Sequence, residues 1–82
     1  MRSLVLYSRP GCHLCDEMKA VVQRVAQTVP LTLAEVDISG DQQLEEQFGL
    51  EIPVLLVDGK KAAKYRLTEL DLRRILTART PR

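Results

Sequence analysis

Apolar residues along this chain gather in short groups, and their spacing changes from group to group. Leu4-Val5-Leu6-Tyr7 is a short apolar run ended by Ser8-Arg9-Pro10-Gly11, which has turn chemistry, so the run predicts a buried strand. From Cys12 onward, Leu14, Met18, Val21, Val22 and Val25 recur at the spacing of a helix with one buried face. Asp16 and Glu17 place negative charge in its first turn, and Pro30 predicts an end near Thr28. Leu31 to Val36 then reads as a second strand, with Leu31 and Leu33 alternating with Thr32.

Ser39-Gly40-Asp41 supplies a turn and cap, and Gln42 lies three residues after Ser39 at capping-box spacing. A short helix through Leu44 to Phe48 follows and stops at Gly49. Val54 to Val57, opened by Pro53, predicts a third strand, and Asp58-Gly59 is a hairpin signal that folds Lys60 to Tyr65 back beside it. The lysines of that fourth strand suit a sheet edge that must avoid pairing with other chains. Thr68 caps a last helix, with Asp71 three residues on and Leu70, Leu72, Ile75 and Leu76 as its apolar positions. The order β-α-β-α-β-β-α is an α/β pattern. Its opening βαβ unit implies parallel strands and a right-handed crossover, and the hairpin adds an antiparallel strand to give a four-stranded mixed sheet flanked by three helices.

At 82 residues, the expectation is one domain spanning 1–82. With 45% hydrophobic and 28% charged residues the composition is that of a globular chain, and disorder is excluded as its class. The net charge of +1 gives no sign of nucleic acid or a membrane as partner. Its distribution is uneven: residues 1–57 hold four basic and eight acidic groups, whereas 58–82 hold eight basic and three acidic. Lys60, Lys61, Lys64, Arg66, Arg73, Arg74 and Arg79 are therefore either solvated surface charge or an anion-attracting face near a substrate site. Tyr7, Phe48 and Tyr65 are the only aromatics, too few for a base-stacking platform. Neither a membrane-length apolar run nor a secretory leader is visible, so a cytoplasmic location is expected.

The two cysteines are too few for a disulfide framework, yet Cys12-His13-Leu14-Cys15 falls between the first strand and the first helix. At a helix start, unpaired N–H groups and the positive end of the dipole favour a thiolate over a thiol, and the thiolate is the nucleophile of disulfide exchange. In this arrangement Cys12 lies at the lip and attacks, and Cys15, one turn further in, resolves. A zinc site wants four ligands, and no second cysteine pair is present, so no metal site is expected within one chain. His13 either favours the Cys12 thiolate when protonated or faces solvent.

The stretch Leu6-Tyr7-Ser8-Arg9-Pro10-Gly11-Cys12-His13-Leu14-Cys15 resembles the active-site segment of glutaredoxins. Ile52-Pro53 before an apolar strand resembles the family's second landmark, a cis-proline facing the cysteine pair. The resemblance covers essentially the whole chain in element order and is closest to short bacterial glutaredoxin-like proteins. It implies a thioredoxin fold with the parallel strand pair central and the hairpin strand at one edge. It also implies that the Ile52 backbone, before a cis Pro53, pairs with an extended substrate as an added strand. Arg9 matches a basic residue near the thiolate and the glutathione carboxylate, and Tyr7 a tyrosine near the active site. Each also has a plain reading, Arg9 as solvated loop charge and Tyr7 as strand packing. Glutathione-binding members carry a Gly-Gly pair before the last helix, whereas this chain has Lys64-Tyr65-Arg66-Leu67-Thr68-Glu69. Thr68 at the helix cap offers N–H groups to a carboxylate, while the bulky side chains beside it obstruct one.

The expected function is a monomeric dithiol–disulfide oxidoreductase acting on protein or glutathione mixed disulfides. Glutathione is a co-substrate rather than a bound cofactor, and glutathione or a reductase restores the dithiol. The competing readings are a non-catalytic binding module using the groove beside Pro53, and a dimer-bridging metal or iron–sulfur carrier using Cys12.

Overall fold

The computed structural model describes residues 2–77. Its elements are β1 (Arg2–Ser8), α1 (His13–Ala26), β2 (Leu31–Asp37), α2 (Gln42–Phe48), β3 (Val54–Val57), β4 (Lys60–Lys64) and α3 (Glu69–Thr77). One four-stranded sheet has the order β2-β1-β3-β4. β1 runs parallel to β2, from Arg2 opposite Leu31 to Ser8 opposite Asp37. It runs antiparallel to β3, with Leu4 opposite Val57 and Tyr7 opposite Val54. This is the thioredoxin-like α/β arrangement, with one correction to the expected layout. The parallel pair is not central: β1 and β3 are, and β2 lies at an edge. The reason lies in strand polarity. β1 and β3 bury Leu4, Leu6, Val54, Leu55 and Val57, whereas β2 exposes Thr32, Ala34, Glu35 and Asp37.

Alternation along β1 divides the interior into two clusters. Leu4 and Leu6 meet Met18, Val21, Val22 and Val25 of α1, Leu55 and Val57 of β3, and Leu72 and Leu76 of α3. On the opposite face a smaller cluster of Ile38, Phe48 and Val54 is joined by the partly buried Tyr7, Leu44 and Ile52. Successive strand side chains point to opposite faces, so one strand feeds both clusters.

The hairpin forms as expected, with Asp58 (φ 51) and Gly59 (φ 85) both left-handed, as a type I′ turn requires. A bulge between Leu55 and Leu56 shifts the β3–β4 register. Several boundaries differ from the sequence reading. α1 stops at Ala26 because Thr28 turns its N–H back to Val25 O. Ser39 does not cap α2: its hydroxyl donates to Asp37 (2.6 Å), and Asp41 is the cap, accepting from Leu44 N–H at 3.1 Å. β4 ends at Lys64 because Tyr65 leaves extended backbone at φ 69. Thr68 does cap α3, accepting from Asp71 N–H at 3.1 Å, but Leu70 faces solvent rather than the core. Arg79 lies outside the described residues.

Candidate active site

The end of β1 turns through Pro10 and Gly11, the latter at φ 77 with open space around it, and delivers Cys12 to the start of α1. Cys12 is the N-cap residue: its Sγ accepts the backbone N–H of Cys15 at 3.1 Å, the role a serine or aspartate oxygen usually fills. Cys12 and Cys15 form a disulfide with Cα atoms 5.2 Å apart, inside the range that needs no backbone movement. The two sulfurs are unequally accessible. Cys12 is half-buried, whereas Cys15 is 2% exposed against the sheet.

Of the other sequence-selected residues, Arg9 shares a cavity wall with Cys15, and Thr68 shares one with Leu14. The Ile52–Pro53 peptide is cis, and Pro53 is buried one residue before Val54, which pairs with Tyr7. The Ile52 N–H donates to Phe48 O at 3.0 Å, so only the Ile52 carbonyl is left for an added strand. Tyr7 stacks on Phe48, with ring centroids 4.4 Å apart, and thereby packs β1 against the end of α2. Arg9 is drawn to Glu45 at 2.5 Å rather than into a free loop position, and its Nε is buried without a partner. The His13 side chain is 89% exposed, and its Nε2 lies 3.4 Å from Glu17 Oε2, one turn along α1.

Two cavities flank the pair. One, of about 310 Å³, is lined by Ser8, Arg9, Cys15, Asp16, Glu35 and Asp37. Here Ser8 donates to Glu35 (3.3 Å), Lys19 also donates to Glu35 (2.9 Å), and hydrogen bonds from Ser39 hold the Asp37 carboxyl below its ordinary range. The other, of about 340 Å³, lies between α1 and the segment preceding α3; Leu14, Met18, Tyr65, Arg66 and Thr68 are among its walls. Among the described residues, no group of three or more His, Cys, Asp or Glu side chains is arranged to hold a metal ion. No helix of the described residues is long and apolar enough to cross a membrane.

The sequence reading gave no role to Glu45, which pairs with Arg9, to Phe48, which stacks on Tyr7, or to Leu50, and Tyr65 entered it only among the bulky side chains before the last helix. Leu50 is 93% exposed, and Tyr65 donates its hydroxyl to Leu50 O at 3.0 Å. An apolar residue after Gly49 was the one available signal for Leu50.

Residues 3–77 match the model of the Glutaredoxin-like domain (DUF836). The chain belongs to the glutaredoxin-like family. A curated relative, "Glutaredoxin-like protein YDR286C homolog" of Dictyostelium discoideum, is 31% identical over 69 residues. That match takes in 77% of this chain and 64% of the relative, so the chain spans less than two thirds of the relative's length. Among solved structures, protein XcR50 from X. campestris superposes with a TM-score of 0.78 at 32% identity, covering 94% of this chain and 99% of that one. Protein Ne2328 from Nitrosomonas europaea gives 0.78 at 30% identity, over 90% and 89%. A mutant thioredoxin from Halobacterium salinarum matches at 0.65 and 23% identity, over 98% of this chain and 78% of that one, a likeness of fold. The molecule is thus a glutaredoxin-like, thioredoxin-fold chain with its Cys-x-x-Cys pair joined as a disulfide.

Proposed function

We propose that this glutaredoxin-like chain is a dithiol–disulfide oxidoreductase of the cytoplasm that reduces protein or glutathione mixed disulfides. The observation that carries the proposal is Cys12 as the cap of α1, half-exposed and receiving the Cys15 N–H, with Cys15 covered behind it. That N–H and the helix dipole favour negative charge on sulfur, the form that attacks disulfides.

In the reducing direction the Cys12 thiolate attacks one sulfur of the substrate disulfide. The other substrate sulfur leaves as a thiolate and takes a proton from water, and a Cys12–substrate mixed disulfide remains. Cys15 loses its proton, attacks the Cys12 sulfur and expels the second substrate thiolate. The substrate gains two electrons and two protons, and the pair becomes the Cys12–Cys15 disulfide. Two thiols of glutathione, or a reductase dithiol, then reverse that oxidation. In this scheme the Ile52 carbonyl beside cis Pro53 accepts a hydrogen bond from the substrate backbone, and Tyr7, Arg9 and Thr68 shape the surrounding surface. His13 assists the thiolate only by turning back from Glu17.

The test uses two variants. Cys12→Ser is expected to abolish disulfide reduction, and Cys15→Ser to accumulate a mixed disulfide visible by mass spectrometry. Normal turnover by Cys12→Ser would overturn the proposal.

A further inference from the structure

Away from the cysteines, a second groove of about 340 Å³ runs between β4 and α3. Its floor is apolar: Ala62, Ala63, Leu67 and Ile75 are half-buried against the larger core cluster. Its walls carry the cations Lys64, Arg66 and Arg74 against one carboxylate, Asp71. Arg66 and Arg74 are exposed and make no ion pair among the described residues, and Lys64 only approaches Glu51, at 4.0 Å. Other cations are matched. Arg2, Arg9, Lys19, Arg24 and Lys61 each meet a carboxylate at 2.9 Å or less. Unmatched positive charge therefore collects along this groove.

The groove also borders an open sheet edge. Among the described residues β4 pairs with β3 alone, so the N–H and C=O groups on its outer side have no strand partner. These features choose among anions. A small inorganic anion uses the charge but neither the strand edge nor the apolar floor. A nucleic acid strand needs flat side chains to stack on, and none lines the groove. An extended polypeptide uses all three, offering a backbone to the edge and alternate side chains to the groove. The lysines of β4 deter neutral and basic strands and attract one bearing carboxylates, since opposite charges across neighbouring strands stabilise the pair. The other sheet edge, β2, exposes Glu35 and Asp37 and repels the same strand.

We propose that the groove between β4 and α3 docks an acidic, extended segment of a partner protein. The segment adds to β4 as a fifth strand, with its carboxylates meeting Lys64, Arg66 and Arg74 and its apolar side chains resting on Ala62, Ala63 and Ile75. Arg66 also lines the cavity shared by Leu14 and Thr68, so one side chain borders both the docking groove and the redox end of the molecule.

The test is a titration of the oxidised, isotope-labelled chain with a cysteine-free decapeptide of alternating glutamate and valine, followed by amide NMR shifts at low salt. Shifts are expected from Ala62 to Leu67 and around Arg74. The glutamine–valine analogue should bind about tenfold more weakly, and the double variant Arg66→Gln, Arg74→Gln should bind the acidic probe about fivefold more weakly, as for lost exposed ion pairs. Methylating one alternate set of probe nitrogens should weaken binding about tenfold and the other set should not, because only one set faces β4. No shifts, shifts confined to other elements, or equal binding of the glutamine analogue overturns the proposal. So do inorganic phosphate producing the same shifts at the same concentration, which makes this a small-anion site, and tighter binding of an oligothymidylate, which makes it a nucleic-acid surface. Equal effects of the two methylated probes overturn the strand addition. The probe carries no thiol, so its failure to bind leaves the oxidoreductase reading standing, and loss of that reading leaves this one.

Discussion

Reducing the Cys12–Cys15 disulfide should lower stability only slightly, and the structure fixes how slightly. The bond links residues three apart in sequence and so closes a four-residue loop. On the chain-entropy model such a loop contributes about 1.9 kcal/mol, well below the value for a loop of fifteen residues. Part of that is recovered in the reduced form. The Cys15 N–H reaches Cys12 Sγ within the first turn of α1, a geometry that does not need the S–S bond. The helix dipole adds about 0.3–1 kcal/mol wherever Cys12 carries charge. The net loss expected is about 1 kcal/mol, or about 4–8 °C in Tm for a domain of this size. Paired thermal melts and urea titrations of the oxidised chain and of the chain kept reduced by a phosphine would measure it. Because charge on the thiolate stabilises the reduced fold, the gap should narrow as pH rises and widen as it falls. A loss above about 4 kcal/mol, the size associated with removing a structural disulfide, would refute the argument and make the cysteines a staple.

Other predictions concern turns and caps. Asp58 takes Ser3 N–H (2.9 Å) and Arg2 Nε (2.6 Å), and those bonds hold its carboxyl below the ordinary value of 3.8. A lowered folded value means this stabilisation is complete above the unfolded value and is lost as pH falls through the folded one. Asp58→Asn, which keeps the left-handed turn, should therefore lower the urea midpoint at neutral pH, and the two midpoints should converge as pH falls through the lowered folded value. A gap independent of pH would contradict this. Asp41→Ala should cost about 1 kcal/mol by removing the cap of α2, while Ser39→Ala should cost less; urea midpoints in the reverse order would restore Ser39 as the cap.

Local chemistry made much of this molecule readable from its sequence. The helical recurrence from Leu14 to Val25, the Asp58-Gly59 turn and the Thr68 cap all appear where the pattern put them, because each depends on neighbours within a few residues. Sheet order was different. The choice of β3 over β2 as central partner turns on how polar whole strands are when compared across the chain, a quantity no single window contains. Ser39 and Asp41 were two plausible caps two residues apart, and the decision fell to Asp37, which captured Ser39. At the site, the cysteine spacing and the Ile52-Pro53 landmark were legible, but Tyr65 was not. A tyrosine does not advertise a left-handed backbone, and its bond to Leu50 joins residues brought together only by the fold.

The two unequal clusters on either face of the sheet imply two mechanical regimes at one active site. The helix bearing Cys12 and Cys15 is rooted in the larger cluster, while the loop bearing Pro53 leans on only Ile38, Phe48 and Val54 with their partly covered neighbours. Cooperative openings follow such packing units. In the proposed reaction this division lets the groove wall yield to an arriving chain while the sulfurs stay fixed. Hydrogen exchange would display the division as faster exchange from Leu44 to Ile52 than along β1 and α1, and equal protection across both would argue against it.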